Sequence, residues 1–335
     1  MKRIYGLIIL SVVVATIASI IIILAPFQGE VEYSGVYSRE IKEYYSSIGA
    51  VDNVRKVLKE YTRYCIDDII NNTLYNNSIK LGTKAGLAVD IVFHEGEAIV
   101  VYARGNSSIY YTLSLDKHLV NPILRKYFVN DTVINFTETT GLQEAYIVFF
   151  SDNNNTYANI TIYKDIWDYN VLLKYYRLEL SLIAINMFLA RYNISHIGDL
   201  EALSSSRSPL DIFKNNATTI NEYEAVALAS MMLKSLNITH VIGVIDTDND
   251  QKPDHLSLLV KLNGTAEAFL RNLTMLYTDL GRDDVIEKHG GLHVKYVIID
   301  KDTYLIIDPL YVDEILIPGH HKLPKDYKML GIIKT

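Results

Sequence analysis

We predict an α+β fold for this chain of 335 residues: an N-terminal transmembrane helix, a helical stalk, a small antiparallel β domain and a second α+β domain. Three patterns predict it. An uncharged apolar run covers residues 4–25, short β-type runs fill residues 79–163, and helical periodicity occurs on both sides of them. The predicted boundaries are 1–29 for the cytoplasmic tip and anchor, 30–76 for the stalk, 77–166 for the β domain and 167–335 for the last domain.

The composition excludes several classes of protein. The 32 Lys and Arg residues against 39 Asp and Glu residues give a net charge of -7, so no basic field exists to hold nucleic acid through its phosphates. The single cysteine, Cys65, excludes an internal disulfide framework, a thiolate metal cage and a paired-thiol redox motif. A mean hydropathy of +0.11 is high for a chain with 21% charged residues, which indicates a local apolar segment.

That apolar segment is residues 4–25, which follow Lys2 and Arg3 and end at Pro26. At about 1.5 Å of rise per residue the run forms a helix of about 33 Å, enough to cross a hydrocarbon core of about 30 Å. Because both positive charges precede the span, the positive-inside rule leaves the N-terminus in the cytoplasm and places the rest of the chain outside. The predicted location is therefore the cell membrane, with a single pass.

Two alternatives to an uncleaved anchor remain open. A cleaved secretory signal has a shorter apolar region of about 7–15 residues and a small-residue cleavage site, for which residues 23–25 are a poor match. The stretch Lys-Arg-Ile-Tyr-Gly at residues 2–6 also resembles the leader of archaeal type IV pilin-like proteins, which is cut after the small residue. In that case the protein would be a subunit of a filament.

Glycosylation acceptor motifs support the predicted orientation independently. Twelve Asn-x-Ser/Thr motifs lie beyond the apolar run, where about three are expected by chance. This excess is typical of an exported, glycosylated surface protein of archaeal type. The motifs begin at Asn71, Asn76, Asn106, Asn130, Asn135, Asn154, Asn159, Asn193, Asn216, Asn237, Asn263 and Asn272.

The stalk prediction rests on residues 37–74, which have the pattern of one or two amphipathic helices. Apolar residues recur there at three- and four-residue steps between Ile41 and Ile69. Cys65 lies on this stripe, so we expect it to be a buried small apolar residue rather than a reactive thiol.

The β domain rests on five short runs separated by turn residues. They contain no evident cluster of titratable side chains, so we interpret the domain as a scaffold or recognition module. The runs are residues 87–94, 98–103, 108–115, 145–150 and 157–163.

Helical patterns return in the last domain. Residues 169–192 have an apolar face too broad for an exposed helix, so we expect this helix to be packed against other elements. Further helices are predicted at 210–214, 221–236 and 266–280, strands at 240–245 and 256–262, and a hairpin from 292–299 to 304–308.

Three segments of the last domain occur in an informative order. A helix over residues 219–238 ends in Leu-Asn-Ile, a strand carries His255, and a final strand ends in Asp308-Pro309. In this order, residues 212–310 resemble the transglutaminase-like superfamily, which shares the papain-type cysteine-protease arrangement. The family has a nucleophilic Cys at the helix N-terminus, then a strand with His, then a strand ending in Asp-Pro. The resemblance covers about a third of the chain.

The nucleophile of that family is missing here. The family thiolate is stabilised by the helix dipole and by an imidazolium that the Asp orients. Counting back from the helix end puts Glu222 in the Cys position, whereas aligning the local run puts Tyr223 there. Neither residue can form a thioester, so the resemblance implies a degenerate triad of Glu222 or Tyr223 with His255 and Asp308. His293 is an alternative for the family His.

A loop just before His255 is a candidate cation site. Its carboxylates alternate along the chain, as in loops that wrap Ca²⁺ with oxygen ligands. The EF-hand pattern is broken, because Gln251 and Ser257 replace the usual Gly and Glu, and a solvated acidic turn is the alternative. No other cofactor is expected, and His320-His321 is expected to form a surface turn rather than a metal site. The loop carboxylates are Asp246, Asp248, Asp250 and Asp254.

The sequence therefore predicts a membrane-anchored surface protein with a catalytically degenerate domain and a binding or structural role, on a glycan, a peptide or a neighbouring envelope protein. One alternative is a hydrolase or acyl-transfer enzyme that uses Glu222 or Tyr223 with His255 and Asp308, since a carboxylate beside a His can act as a general base. The other alternative is the pilin-like subunit.

Overall fold

The computed structural model describes residues 32–83, 86–94, 96–114, 127–128, 132–135, 143–166, 169–215 and 217–334. These residues form an α+β structure. Its helices are α1 (Ser38–Ser47), α2 (Asp52–Ile69), α3 (Tyr169–Tyr175), α4 (Arg177–Leu189), α5 (Pro209–Asn215), α6 (Glu222–Ser235), α7 (Ala266–Asp279) and α8 (Asp283–Lys288), with a 3-10 helix at Leu200–Ser205.

The strands fall into two groups along the chain. The first group is β1 (Thr73–Leu81), β2 (Leu87–Phe93), β3 (Ala98–Gly105), β4 (Tyr110–Ser114), β5 (Tyr127–Phe128), β6 (Thr132–Asn135), β7 (Gln143–Phe150) and β8 (Thr156–Ile166). The second group is β9 (Asn193–Ser195), β10 (Thr219–Asn221), β11 (His240–Asp246), β12 (His255–Lys261), β13 (Tyr296–Ile299), β14 (Asp302–Ile307) and β15 (Lys328–Ile333).

The described residues have the α+β class that the sequence predicts, but the predicted arrangement of anchor and stalk is not the one they form, and it needs two corrections. In the part of the chain that the structure describes, no helix is both long and apolar enough to cross a membrane. The predicted transmembrane segment, residues 4–25, lies outside the described residues, as do residues 2–6 with the pilin-like pattern. The second correction concerns the stalk.

Helices α1 and α2 do not form a stalk, because they pack into the same core as the C-terminal helices. Ile41 on α1 and Leu58 on α2 are fully buried in that core. The Tyr45 hydroxyl donates to the Tyr223 carbonyl at 3.1 Å, which joins α1 to α6. The amphipathic stripe is buried, but against helices that lie far along the chain. Cys65 is buried on α2, as its position on the stripe predicts.

The first group of strands forms a β sandwich. One antiparallel sheet has the order β1-β8-β3-β6 and the other the order β2-β7-β4-β5. Apolar side chains from both sheets, such as Val101 and Ile160 from one and Ile91 and Ile147 from the other, make one core between them.

The second group builds the sheet that carries the site. Its five strands are antiparallel in the order β13-β14-β12-β11-β15, with the large helical core on one face and a smaller apolar cluster on the other. Helix α6 packs against β12, and every residue of α6 except Lys234 is buried. This packing brings the first turn of α6 to the start of β12 and the end of β14.

Candidate functional site

A capping box fixes where α6 begins. The Asn221 side chain accepts a hydrogen bond from the Glu224 backbone N–H at 2.8 Å, and the Glu224 carboxylate accepts one from the Asn221 N–H at 3.1 Å. Arg207 holds the same carboxylate with its Nε and Nη2 atoms, both at 2.8 Å. Glu222 is thereby held in the first turn, where the helix dipole favours a negative charge.

Glu222, His255 and Asp308 form a continuous hydrogen-bonded row. His255 Nδ1 lies 2.6 Å from Glu222 Oε2, and His255 Nε2 lies 2.8 Å from Asp308 Oδ2. His255 is the first residue of β12, and Asp308 follows the last residue of β14. The Glu222 side chain is 1% exposed and the other two are fully buried. Both ring nitrogens of His255 therefore have a carboxylate partner.

The Glu222 carboxylate has three further partners. Its Oε1 atom accepts hydrogen bonds from the backbone N–H groups of Ile197 and Gly198 at 2.8 and 3.0 Å. Gly198 has a φ of +67°, a conformation that glycine adopts at no steric cost. The His196 Nδ1 atom lies 2.7 Å from Oε2, and the His196 side chain is 45% exposed. Four contacts thus occupy the lone pairs of this carboxylate.

Asp308 is held from its other side by residues near the C-terminus. The Tyr327 hydroxyl donates to Asp308 Oδ2 at 2.9 Å, and the Leu310 N–H donates to Oδ1 at 3.2 Å. His321 Nε2 lies 2.9 Å from the Ile306 carbonyl oxygen and 3.3 Å from the Asp308 backbone nitrogen. His321 is buried, which corrects the predicted surface turn.

The charges of the three side chains stabilise one another. Burial alone would lower the pKa of His255, but the carboxylates of Asp308 and Glu222 outweigh it and raise that pKa to about 10. Burial would raise the pKa of Glu222, yet the hydrogen bond and charge of His255, with the two backbone N–H groups, lower it to about 2. The pKa of Asp308 is also lowered against the effect of burial, chiefly by the His255 charge. The site therefore contains an imidazolium between two carboxylates.

The other two candidate positions lie apart from this row. The Tyr223 hydroxyl donates to the Asp254 carbonyl at 3.0 Å, so it does not contact the imidazole. His293 is exposed, and its carbonyl oxygen lies 3.0 Å from His320 Nδ1. Of the two histidines considered from the sequence, His255 is the one beside Asp308, and of Glu222 and Tyr223, Glu222 is the one whose side chain contacts the imidazole of His255.

The acidic loop is largely closed by its own hydrogen bonds. The buried Asp246 carboxylate accepts from the backbone N–H groups of Asp248, Asn249 and Gln251, at 3.2, 2.6 and 2.8 Å. Carboxylate oxygens of Asp246, Asp248 and Asp250 lie within 4.8 Å of one another. Asp254 instead accepts from the N–H and hydroxyl of Thr247. Calcium binding by this loop remains a prediction.

The acceptor asparagines lie mostly on the surface. Asn130 and Asn216 are outside the described residues, and the side chain of Asn135 is not described. Asn272 is half-buried. The remaining eight are exposed: Asn71, Asn76, Asn106, Asn154, Asn159, Asn193, Asn237 and Asn263. Their glycosylation remains a prediction.

Sequence reasoning missed the part of the site that precedes α6. His196 reaches Glu222 because the short strands β9 and β10 pair in parallel, with Ser195 opposite Asn221. Each of these strands has three residues, which is too short for an alternating pattern of apolar and polar residues to identify it as a strand. The only available signal was a histidine directly after a β-branched residue and a serine, which is too common to select it.

A second buried cluster of charges was also missed. It joins His94 and Glu97 of the β2–β3 loop to Lys164 on β8 and Asp279 on α7. His94 Nε2 lies 2.5 Å from Asp279 Oδ2, and Lys164 Nζ lies 2.9 Å from Glu97 Oε2 and also contacts Asp279. The β sandwich therefore does contribute to a titratable cluster, which forms where the sandwich meets the helices.

Glu222, His255 and Asp308 form a closed ionic network, with side chains that are 1% exposed or fully buried. The chain's one cysteine, Cys65, is buried on α2. Four surface cavities of about 430 to 640 Å³ are lined by residues other than Glu222, His255 and Asp308.

No protein-family model, curated protein or solved structure matches this chain.

Proposed function

We propose that this is a membrane-anchored extracytoplasmic protein with a binding or structural role at the cell surface, and that its C-terminal part is a transglutaminase-like domain without catalysis. The observation that carries the proposal is His255, which is fully buried with a carboxylate on each ring nitrogen. A general base needs a lone pair that reaches the substrate, and this imidazole has neither a lone pair to spare nor exposure.

The transglutaminase-like part of the proposal is supported by geometry as well as by motif order. Glu222 begins a buried helix, as the family Cys does, and its carboxylate contacts the histidine of the following strand. Asp308 closes a third segment and contacts the other ring nitrogen. A carboxylate at the Cys position preserves the contact to the histidine while removing the nucleophile.

The hydrolase alternative requires an open cleft beside Glu222. The carboxylate is 1% exposed and already accepts four hydrogen bonds, so it has no free position for an attacking water.

The export part of the proposal is supported by the apolar run at residues 4–25 and by eight exposed acceptor asparagines.

A turnover assay tests the absence of catalysis. The full-length chain in detergent is incubated with ester and amide substrates and with glutamine peptides plus an amine acceptor. We expect no turnover above a protein-free control. Turnover that falls by about 100-fold or more in the folded variant His255→Gln, a loss typical of a removed general base, would overturn the proposal. The exposed His293→Gln variant is the matched control.

Protease treatment of intact cells tests the predicted orientation. We expect external protease to degrade the chain and enzymatic or chemical deglycosylation to lower its mass, because the acceptor asparagines lie on the exported side. A chain that is protected in intact cells and keeps its mass on deglycosylation would contradict both predictions.

A further inference from the structure

Three metal-ligating atoms converge at one end of the buried row. His196 Nδ1 and His255 Nδ1 lie 2.7 and 2.6 Å from Glu222 Oε2, and the three atoms all lie within 4.8 Å of one another. Two imidazole nitrogens and one carboxylate oxygen are a donor set typical of Zn²⁺ and related divalent ions. We propose that His196, Glu222 and His255 bind one divalent transition-metal ion of the Zn²⁺ class.

The surroundings of these ligands are already organised for a metal ion. Ligating histidines usually donate their second ring N–H to a carboxylate, which fixes the ring and the tautomer. His255 Nε2 has this partner in Asp308 at 2.8 Å. The Glu222 Oε1 atom is held by the backbone N–H groups of Ile197 and Gly198, which leaves Oε2 aimed at the two imidazoles. The protein therefore orients two of the three ligands without any help from the ion.

The required rearrangement is small. Zinc–ligand bonds of about 2.0–2.2 Å put tetrahedral ligand atoms about 3.4 Å apart, so the present contacts of 2.6 and 2.7 Å must widen by about 0.7–0.8 Å. The ion replaces the protons shared between the imidazoles and Oε2. His196 can supply the movement for its own contact, since its side chain is 45% exposed and follows the three-residue strand β9, whereas the contact between His255 and Glu222 widens through a small shift of one of those two buried side chains. Water can occupy the fourth position.

The same side chain provides the route of access. Moving the His196 ring opens the buried Oε2 atom to a small ion, whereas an acyl substrate would have to reach His255 and Asp308, which are fully buried. Metal binding is therefore compatible with a site that is closed to peptides and esters. The bound ion would join the β9 loop, the start of α6 and the start of β12, in a chain whose single cysteine excludes internal disulfides.

Two other groups of carboxylates and histidines fit an ion less well. The group of His94, Glu97 and Asp279 surrounds the Lys164 ammonium, whose positive charge opposes a metal cation. The carboxylates of Asp246, Asp248 and Asp250 are the acidic loop described above, and they offer no imidazole. The inference uses residues of the proposed structural row but does not depend on that row being inactive.

Cobalt titration of the full-length chain tests the site. The protein is stripped with a chelator, dialysed, and titrated with Co²⁺ while the visible d–d absorption is recorded; Zn²⁺ is then added as competitor. We expect one equivalent of Co²⁺ to give the intense spectrum of a tetrahedral or five-coordinate site, and Zn²⁺ to abolish it. Loss of a residue that hydrogen-bonds a metal ligand usually weakens metal binding about 10–100-fold, so loss of a ligand itself in His196→Ala should weaken it by more than about 100-fold.

The choice of variants keeps the test decisive. His196 is half-exposed and lies outside the buried row, so His196→Ala should fold, which far-UV circular dichroism checks. The exposed His293→Ala variant is the matched control and should bind as the wild type does. Absence of stoichiometric Co²⁺ binding by the wild type, or wild-type affinity in His196→Ala, would overturn the inference. Either result leaves the turnover assay unaffected, so the two proposals fail separately.

Discussion

Two buried histidines of the C-terminal domain show how neighbours decide the behaviour of the same side chain. His255 lies between two carboxylates and carries a charge, whereas His240, on the adjacent strand, has neutral partners. Ser230 Oγ lies 2.8 Å from His240 Nε2, and the Ile238 carbonyl oxygen lies 3.1 Å from Nδ1. A neutral imidazole satisfies both contacts, and burial without a carboxylate partner disfavours protonation of His240.

We expect His240 to make the protein less stable in mild acid. Burial, with a smaller contribution from the Lys234 charge, lowers the pKa of His240 from 6.5 to about 4. Between about pH 6.5 and 4 the unfolded chain therefore binds a proton at His240 that the folded chain does not bind. The folded state keeps its full stability above about pH 6.5 and loses this contribution as the pH falls towards 4. The full effect is about 3 kcal/mol.

Chemical denaturation at a series of pH values measures this contribution. The variant His240→Gln keeps a polar side chain but cannot titrate, so its free energy of unfolding should fall less steeply between about pH 6.5 and 4 than that of the wild type. Identical slopes for the two proteins would show that His240 does not contribute.

Cys65 should be inert in the folded protein. It is 2% exposed on α2, and burial raises the pKa of its thiol to about 11, so almost no thiolate is present at neutral pH. A thiol-directed reagent should label the chain only after denaturation, which mass spectrometry measures. Stoichiometric labelling of the native protein within minutes would contradict the buried position of α2.

At the scale of elements, the sequence predicted the helices and strands around the site better than it predicted which elements pack against each other. The helix expected at residues 221–236 occurs as Glu222–Ser235, and the strand expected at 256–262 occurs as His255–Lys261. These segments have strong periodicity or continuous burial, which local patterns reveal. The prediction of a stalk is wrong for a different reason. An amphipathic stripe shows that a helix buries one face, but it does not show which element covers that face.

The N-cap of α6 should contribute measurably to stability. Removing the Asn221 side chain in Asn221→Ala leaves the Glu224 N–H without its acceptor, and such caps contribute about 1 kcal/mol and up to about 2 kcal/mol. The variant Asn221→Ser keeps a capping oxygen and is the matched control. Chemical denaturation should show a clear loss for Ala and a small one for Ser; equal losses would mean that the cap does not matter.

At the scale of the whole molecule, a buried ionic cluster joins the β sandwich to the helical part. Lys164 comes from the sandwich and Asp279 from α7, and both side chains are fully buried. A backbone hydrogen bond from the Asn71 N–H to the Leu280 carbonyl, at 2.8 Å, reinforces the boundary. These residues are far apart along the chain, so no local pattern could pair them.

Breaking this cluster should destabilise the whole chain. Lys164→Met removes the ammonium and leaves the carboxylates of Glu97 and Asp279 buried without it, which typically costs about 3–5 kcal/mol. Lys80→Met, on the exposed face of the same sandwich, should change the free energy of unfolding by less than about 0.5 kcal/mol. Limited proteolysis should cleave the Lys164 variant faster; equal stability and cleavage in both variants would contradict the role of the cluster.

The candidate site shows the same division between local and distant information. Motif order selected Glu222 or Tyr223 with Asp308 and either His255 or His293. The fold brings the side chains of Glu222, His255 and Asp308 into contact. His196 and Tyr327 were not selected, because they reach the group through a three-residue strand pair and through the C-terminal segment. Contacts of that kind depend on the tertiary fold, and they produce no characteristic spacing of residues in the sequence.

The central claim is that the row of Glu222, His255 and Asp308 stabilises the fold. The free energy of unfolding in chelator-containing buffer tests it most directly, for His255→Gln and Glu222→Gln against the exposed control His293→Gln. Removing one partner of a buried ion pair typically costs about 3–5 kcal/mol, whereas an exposed substitution changes stability by less than about 0.5 kcal/mol. We predict losses of the first size for both row variants; losses no larger than that of His293→Gln would contradict the claim.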